Sequence, residues 1–435
     1  MARAAYTLLL WIALPLICLR LLWRARRQGE YLRHWGERFG GYDLRPARPV
    51  IWLHAVSVGE ARAAEPLVTA MTQRFPAFEL VITCMTPTGR ATAIALYGSL
   101  ASVVYLPYDY PFAVRRFLAR FRPRVGIVME TEVWPNLLAL CNDAHVPVLL
   151  VNARLSERSQ RRYLRVPRLA GAAFSAFTQV AAQSAADAAR IGALRKTGMV
   201  VTGNLKFDVA PDAQLLARGA AWHGQVGGRR VFLAASTREG EEALLLPLLR
   251  ALAAAGYLCV IVPRHPQRFA EVTELLIGAG LRTARRSSGL PAADVEAWVG
   301  DSMGEMAAYY ALADCAYIGG SLLPFGGQNL FEAAACGCPA LVGPHTWNFS
   351  EAAEGAVAAG AAQRVTDADH LAVAVQRLLA DPAGRAVMRE RAFGFASAHR
   401  GATDRTMALI APLLARPAGV TTGGRARFCA DSPSG

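Results

Sequence analysis

Short apolar runs rich in β-branched residues recur along most of this chain, separated each time by a segment long enough for a helix. In the first half they are Val50-Ile51-Trp52-Leu53, Leu80-Val81-Ile82-Thr83, Val103-Val104-Tyr105, Val125-Gly126-Ile127-Val128, Val148-Leu149-Leu150-Val151 and Gln179-Val180-Ala181. In the second half they are Val231-Phe232-Leu233, Leu258-Cys259-Val260-Ile261, Val295-Glu296-Ala297-Trp298, Cys315-Ala316-Tyr317-Ile318 and Ala340-Leu341-Val342. Strands apolar on both faces and spaced by helices belong to parallel sheets covered on both sides. Two such sets predict an α/β chain of two Rossmann-like, doubly wound domains, and 435 residues exceed one ordinary core. The boundary is expected between Gly203 and Gly228, giving domains 29–206 and 207–415, with the last helical segment, about Asp381 to Leu414, crossing back to the first. Ligands in this architecture bind outside strand C-termini, here facing an interdomain cleft. Residues 416–435 are rich in Gly, Ser, Thr and Arg and are expected to be disordered.

The run from Ala4 to Leu19 is apolar throughout, and Leu21-Leu22-Trp23 continues it past Arg20. Pro15 is tolerable in a membrane helix, and Arg20 can snorkel. No small-residue cleavage site follows, so residues 1–28 read as a retained single-pass anchor with a basic juxtamembrane end. Arg24, Arg26 and Arg27 follow the run and only Arg3 precedes it, which places the later domains on the cytoplasmic side. A helix lying in the interface is the alternative. The net charge of +14 suits an anionic membrane surface. Without an RNA-binding aromatic signature or zinc-finger spacing, nucleic acid is excluded as a partner. The cysteines are scattered and read as small core residues.

Several polar groups follow predicted strands. In His54-Ala55-Val56-Ser57-Val58-Gly59-Glu60, Gly59 admits a ligand to the backbone, and Glu60 serves either as a general base or as a partner of the helix dipole. Thr86-Pro87-Thr88-Gly89-Arg90 reads as an anion-binding turn or a plain cap. Glu130 and Glu132 lie in Met129 to Asn136, and buried carboxylates need partners, which Asn152 and Arg154 are placed to supply. Lys206, in Gly203 to Asp208, offers a point charge.

In the second half, Ser236, Thr237 and Arg264 follow strands and suit phosphate oxygens, again with simple capping as the alternative. From Asp301 to Trp347 an acidic turn, a strand and a glycine-rich loop lead to Asn329 and Glu332. Helix openings there suit an anionic phosphate, and Glu332, one turn after Asn329, suits ribose hydroxyls. Asp367-Ala368-Asp369 reads as N-capping, so no metal site and no cofactor are expected. The absence of a Walker run or a strand-borne G-x-G-x-x-G excludes an ATPase and a dinucleotide oxidoreductase.

Taken together, Val56 to Glu60 (VSVGE), Met129 to Asn136 (METEVWPN), Gly203 to Asp208 (GNLKFD), Gly300 to Glu305 (GDSMGE) and Gly326 to Glu332 (GGQNLFE) closely resemble the 3-deoxy-D-manno-octulosonic acid (Kdo) transferases of lipid A biosynthesis, inverting glycosyltransferases of family 30 with the GT-B fold. The resemblance runs to about residue 410. It implies CMP-Kdo as donor and the lipid A precursor, lipid IVA, as acceptor in lipopolysaccharide core biosynthesis. Glu60 would be the catalytic base. Ser236, Thr237, Arg264, Met303, Gly304, Glu305, Asn329 and Glu332 would bind CMP. Ser57, Gly59, Arg90, Glu130, Glu132 and Lys206 would face sugar and acceptor. Gln328 and Leu330-Phe331 depart from the family's commoner residues in the donor loop. A UDP-sugar:lipid transferase of the same fold, and a membrane-anchored nucleotide-binding protein without catalysis, are the alternatives.

Overall fold

The computed structural model describes residues 1–415; the tail at 416–435, expected to be disordered, lies outside the described residues. The chain divides into two compact units, Met1–Asp208 joined by the segment from Gly401 onward, and Val209–Arg400.

The first unit holds seven strands: β1 (Val50–His54), β2 (Glu79–Cys84), β3 (Ala101–Tyr105), β4 (Pro123–Met129), β5 (Val148–Ala153), β6 (Gln179–Ala182) and β7 (Met199–Val201). All pair in parallel, in the order β3-β2-β1-β4-β5-β6-β7. Every residue of β1 is buried, because alternate side chains enter two different cores. Val50 and Trp52 pack with Phe117, Phe121 and Phe174. Ile51 and Leu53 pack with Leu67, Met71, Met407 and Ile410. Each such side chain contributes about 1.5–3 kcal/mol when fully buried. The chain winds outward from β1 to β3 and then returns to β4, so the C-terminal ends of β1 and β4 flank the switch point where α/β folds bind ligands.

The second unit repeats the scheme with β8 (Val231–Thr237), β9 (Leu258–Pro263), β10 (Thr283–Arg285), β11 (Ala297–Val299), β12 (Cys315–Ile318), β13 (Ala340–Val342) and β14 (Ala362–Arg364), ordered β10-β11-β9-β8-β12-β13-β14 and all parallel. Its switch point lies between β8 and β12. Gly319 is required there: a Cβ at this position would stand 2.4 Å from the Ser236 carbonyl oxygen.

Helix α1 (Ala2–Arg27) is long and apolar enough to cross a membrane. Its packing runs along the first unit. The Tyr6 hydroxyl donates to Asp109 at 3.0 Å, Thr7 donates to Asn136 at 3.0 Å, and the Tyr110 hydroxyl donates to the Leu10 carbonyl at 2.7 Å. Leu8, Leu9, Ile12, Leu16 and Leu19 point away from the unit and are exposed. At the other end of the chain, the helix Ala402–Leu414 lies on the first unit. Asp208 caps it, accepting the N–H groups of Gly401 and Thr403. Asp367 caps the helix Ala368–Ala380, as its position after a polar joint predicts.

Candidate active site

Beyond β1 the chain turns directly into α2 (Val58–Ala63), with Ser57 as N-cap. The Glu60 carboxylate folds back over this turn. One oxygen accepts the Val56 N–H at 2.6 Å and the other lies 3.4 Å from Ser57 Oγ. This is a variant of the capping box, in which a first-turn carboxylate satisfies free backbone donors. The neighbouring α4 (Pro87–Tyr97; α3 is Glu65–Arg74) abuts the same turn, with Thr86 donating to the Val56 carbonyl at 3.3 Å. Gly89 makes this approach possible, since a Cβ there would stand 2.8 Å from Val56 O. Glu60 is 8% exposed. Burial pushes its carboxyl up to about 7; the Val56 N–H opposes this, the charges of Glu130 and Glu132 add to it, and Ser57 opposes it. A carboxyl poised near neutrality suits proton abstraction.

Glu130 and Glu132 follow β4. Glu130 has φ 57, in the left-handed region that costs a non-glycine residue about 1 kcal/mol or more. Its carboxylate lies 3.5 Å from Lys206 Nζ. Asn152, at the end of β5, also has a positive φ of 51 and holds the segment that carries Lys206. Its Oδ1 accepts the Leu205 N–H at 3.0 Å, while Gln183 bridges the Asn152 carbonyl and Asn204. Glu132 accepts the Trp134 Nε1–H at 2.9 Å, and burial raises its carboxyl. The structure thus brings Ser57, Gly59, Glu60, Glu130, Glu132 and Lys206 to one edge of the sheet.

Three expected residues go elsewhere, Asn152 among them, since it serves Leu205 and neither carboxylate. Arg154 is exposed and pairs with neither carboxylate; Lys206 takes Glu130 instead. Arg90 turns toward β3, donating to the Val103 carbonyl at 3.1 Å and standing 3.7 Å from Glu37. Beside the site, His54 is fully buried, its Nδ1 lies 2.9 Å from Thr83 Oγ1, and its Nε2 has no partner. Burial lowers its pKa to about 4, so the ring is neutral at physiological pH.

In the second unit the expected residues gather at the C-terminal edge around β8, β9, β11 and β12. Ser236 has φ 55 and is half-buried. Arg264 is exposed, and its N–H donates to the Thr237 carbonyl at 3.0 Å. Met303 is exposed, and Gly304 has φ 83. Asn329 caps the short helix Leu330–Ala335 and its Nδ2 donates to Glu332 at 3.2 Å, so these two do share one face. Thr237 is buried and committed to Glu242 at 2.6 Å, and Glu305 is held by Arg218 at 2.8 Å and Arg286 at 3.1 Å. Burial is the largest single effect and raises the Glu305 carboxyl, but the Ser302 hydroxyl, which donates to it, and the two arginines together hold it below its ordinary range. Thr237 and Glu305 therefore support the site through other residues.

A family model described as 3-deoxy-D-manno-octulosonic-acid transferase (kdotransferase) matches residues 33–209. A 3-deoxy-D-manno-octulosonic acid transferase of Bordetella pertussis is 46% identical over 94% of this chain and 98% of its own length. The chain belongs to the Kdo transferases. The corresponding Haemophilus influenzae transferase is 36% identical over 96% of this chain and 100% of its own length. A solved glycosyltransferase from Rickettsia africae, 12% identical, matches 86% of this chain and 100% of its own with a TM-score of 0.58, and shares the two-sheet fold. This Kdo transferase is thus a glycosyltransferase of the GT-B type.

In this Kdo transferase, the supports of the glycine-rich loop after β12 escaped sequence reasoning. Glu241 is fully buried and accepts from Gly320 N–H at 2.6 Å, Tyr317 Oη–H at 2.6 Å, Arg238 N–H at 3.0 Å and Leu322 N–H at 3.2 Å. Glu242 receives a forked pair from Arg268 at 2.7 and 2.9 Å. The available signal was the acidic pair directly after Gly240, but acidic residues at a helix start are ordinary partners of the helix dipole, so the sequence does not reveal that both carboxylates are buried among donors.

Proposed function

We propose that this Kdo transferase takes Kdo from CMP-Kdo and adds it to the lipid A precursor lipid IVA, with inversion in one displacement. The acceptor hydroxyl oxygen forms a bond to the anomeric carbon while the bond from that carbon to the CMP phosphate breaks. The hydroxyl proton passes to Glu60, and the electron pair of the broken bond leaves with CMP. Fixed donors that neutralise the departing phosphate lower the barrier. Arg264, exposed at the end of β9, and Ser236 supply them, with the backbone at Met303-Gly304, while Asn329 and Glu332 take the ribose. Lys206, Ser57, Gly59, Glu130 and Glu132 orient sugar and acceptor. Helix α1 attaches the enzyme to the inner membrane, with both units on the cytoplasmic side.

The observation that carries this reading is the buried Glu60 carboxylate folded over the β1–α2 turn at the switch point, where burial raises its carboxyl and the charges of Glu130 and Glu132 add to the effect. Mass spectrometry of the lipid product tests it. Detergent-solubilised enzyme receives CMP-Kdo and the tetraacylated precursor, with and without EDTA, beside Glu60→Gln and a UDP-sugar control. Kdo-bearing lipid from the wild type, insensitive to EDTA and absent from the variant, is expected. Transfer from the UDP-sugar, or undiminished transfer by the variant, would overturn the donor or the base.

A further inference from the structure

Between α1 and the rest of the first unit lies a cavity of about 340 Å³, within the range of ligand pockets. Three arginines line it: Arg20 and Arg24 from α1, and Arg38 from the short turn Trp35–Phe39. Arg38 decides its chemistry. Its side chain is 1% exposed, yet no carboxylate pairs with it among the described residues. Nη1 donates to the Met85 carbonyl at 3.2 Å, and the guanidinium stacks 4.0 Å above the Tyr105 ring. Nε and Nη2 are buried without partners. A buried cation left in this condition is costly unless an anion completes it.

The nearby carboxylates do not serve. Asp109, also in the lining, accepts from Asn136 N–H at 2.9 Å, Leu137 N–H at 2.7 Å and the Tyr6 hydroxyl at 3.0 Å. Glu37 accepts the Tyr105 N–H at 2.7 Å and faces Arg90. The rest of the wall is largely apolar, with Leu10, Ile17, Leu21 and Trp134. A planar fork with two unpaired donors beside Tyr108, two further cations and an apolar wall match one chemistry: a phosphoryl group carried on an acylated lipid.

We infer that this cavity holds a phosphoryl group of the acylated lipid acceptor, with Arg38 as the fixed donor and Arg20 and Arg24 closing on it from α1. The identity of the lipid as acceptor rests on the proposed reaction; the phosphoryl-lipid site itself does not.

The test uses full-length enzyme and phosphatidylcholine vesicles. They carry the bisphosphorylated precursor, its dephosphorylated form, or phosphatidylglycerol. Co-sedimentation and the acceptor KM are read for wild type, Arg38→Gln and the surface double variant Arg20→Gln/Arg24→Gln. Wild type should prefer the phosphorylated precursor at least about tenfold, and both variants should lose that preference while CMP binding is unchanged. The double variant changes only exposed side chains, so misfolding cannot imitate the result. An unchanged preference and KM in both variants overturns the site and leaves the reaction standing. Equal competition by phosphatidylglycerol overturns the acceptor assignment. A preserved preference with no transfer by wild type removes the reaction and supports the phosphoryl-lipid site.

Discussion

The ammonium of Lys206 stands 3.5 Å from the carboxylate of Glu130, at the edge of the sheet where Glu60 lies. Burial is the main cause of the raised Glu60 carboxyl and the charge of Glu130 adds to it, so this pair should modulate the proton affinity of the proposed base. Removing each partner should therefore act in opposite directions. Glu130→Gln should move the acid limb of kcat/KM to lower pH, and Lys206→Gln should move it upward. A pH–rate profile of each variant reads this directly. Shifts of the same sign in both would show that the pair does not act through Glu60.

Glu60 itself should govern the acid limb. Its carboxylate form accepts the proton, so transfer should rise with pH through about 7, where burial has brought its carboxyl. Glu60→Gln should lower kcat by about 10²–10⁴-fold, the usual contribution of a positioned base, with CMP affinity unchanged. Equal loss of CMP affinity would point instead to a damaged fold.

The same burial has a cost to stability. Between about 4.5 and about 7 the folded carboxyl binds more protons than the unfolded one, because its folded pKa is the higher. Its stabilising contribution is therefore complete below the unfolded value and lost as pH rises through the folded one. The penalty above pH 7 is at most on the order of 3 kcal/mol. Glu60→Gln keeps an acceptor for the Val56 N–H and removes the charge. It should raise the melting temperature at pH 8 more than at pH 5; an equal effect at both would refute the assignment.

Three of the four sheet edges, by contrast, were hidden, β3 alone being legible in Val103-Val104-Tyr105. The central strands announce themselves because both faces are buried, as in Val148 to Val151. The edge strands β7, β10 and β14 are three residues each and partly solvated, so Met199-Val200-Val201, Thr283-Ala284-Arg285 and Ala362-Gln363-Arg364 lack a long apolar run. The site follows the same logic. Groups directly after strands, such as Glu60 and Glu130, are legible from position. Partners set by tertiary approach are not, which is why Arg154 stood where Lys206 belongs.

The donor loop should depend on Glu241 more than on its own glycines. Four donors from three segments converge on one carboxylate. Glu241→Leu leaves the Gly320 and Arg238 N–H groups without an acceptor, at about 1–3 kcal/mol each, while the Leu322 N–H keeps the Tyr317 hydroxyl. CMP affinity should fall sharply and amide exchange should rise at 319–329, while the first unit keeps its protection. Unchanged exchange in that loop would show that it holds its form without the carboxylate.

Helix α1 bears on how the enzyme meets the membrane. At 1.5 Å per residue, its 26 residues extend about 39 Å, enough for a full crossing. Yet Tyr6 and Thr7 near its start bond to Asp109 and Asn136, and a helix crossing the bilayer away from the unit would break both bonds. With those bonds kept, the exposed leucines enter one leaflet and the polar face stays on protein. Arg3→Cys should then react with an impermeant maleimide in inside-out vesicles and remain unlabelled in spheroplasts. Labelling in spheroplasts alone would make α1 a spanning helix. Tyr6→Phe combined with Thr7→Val removes both bonds to the unit; if the docked arrangement holds the helix in one leaflet, this double variant should shift labelling toward the spheroplasts.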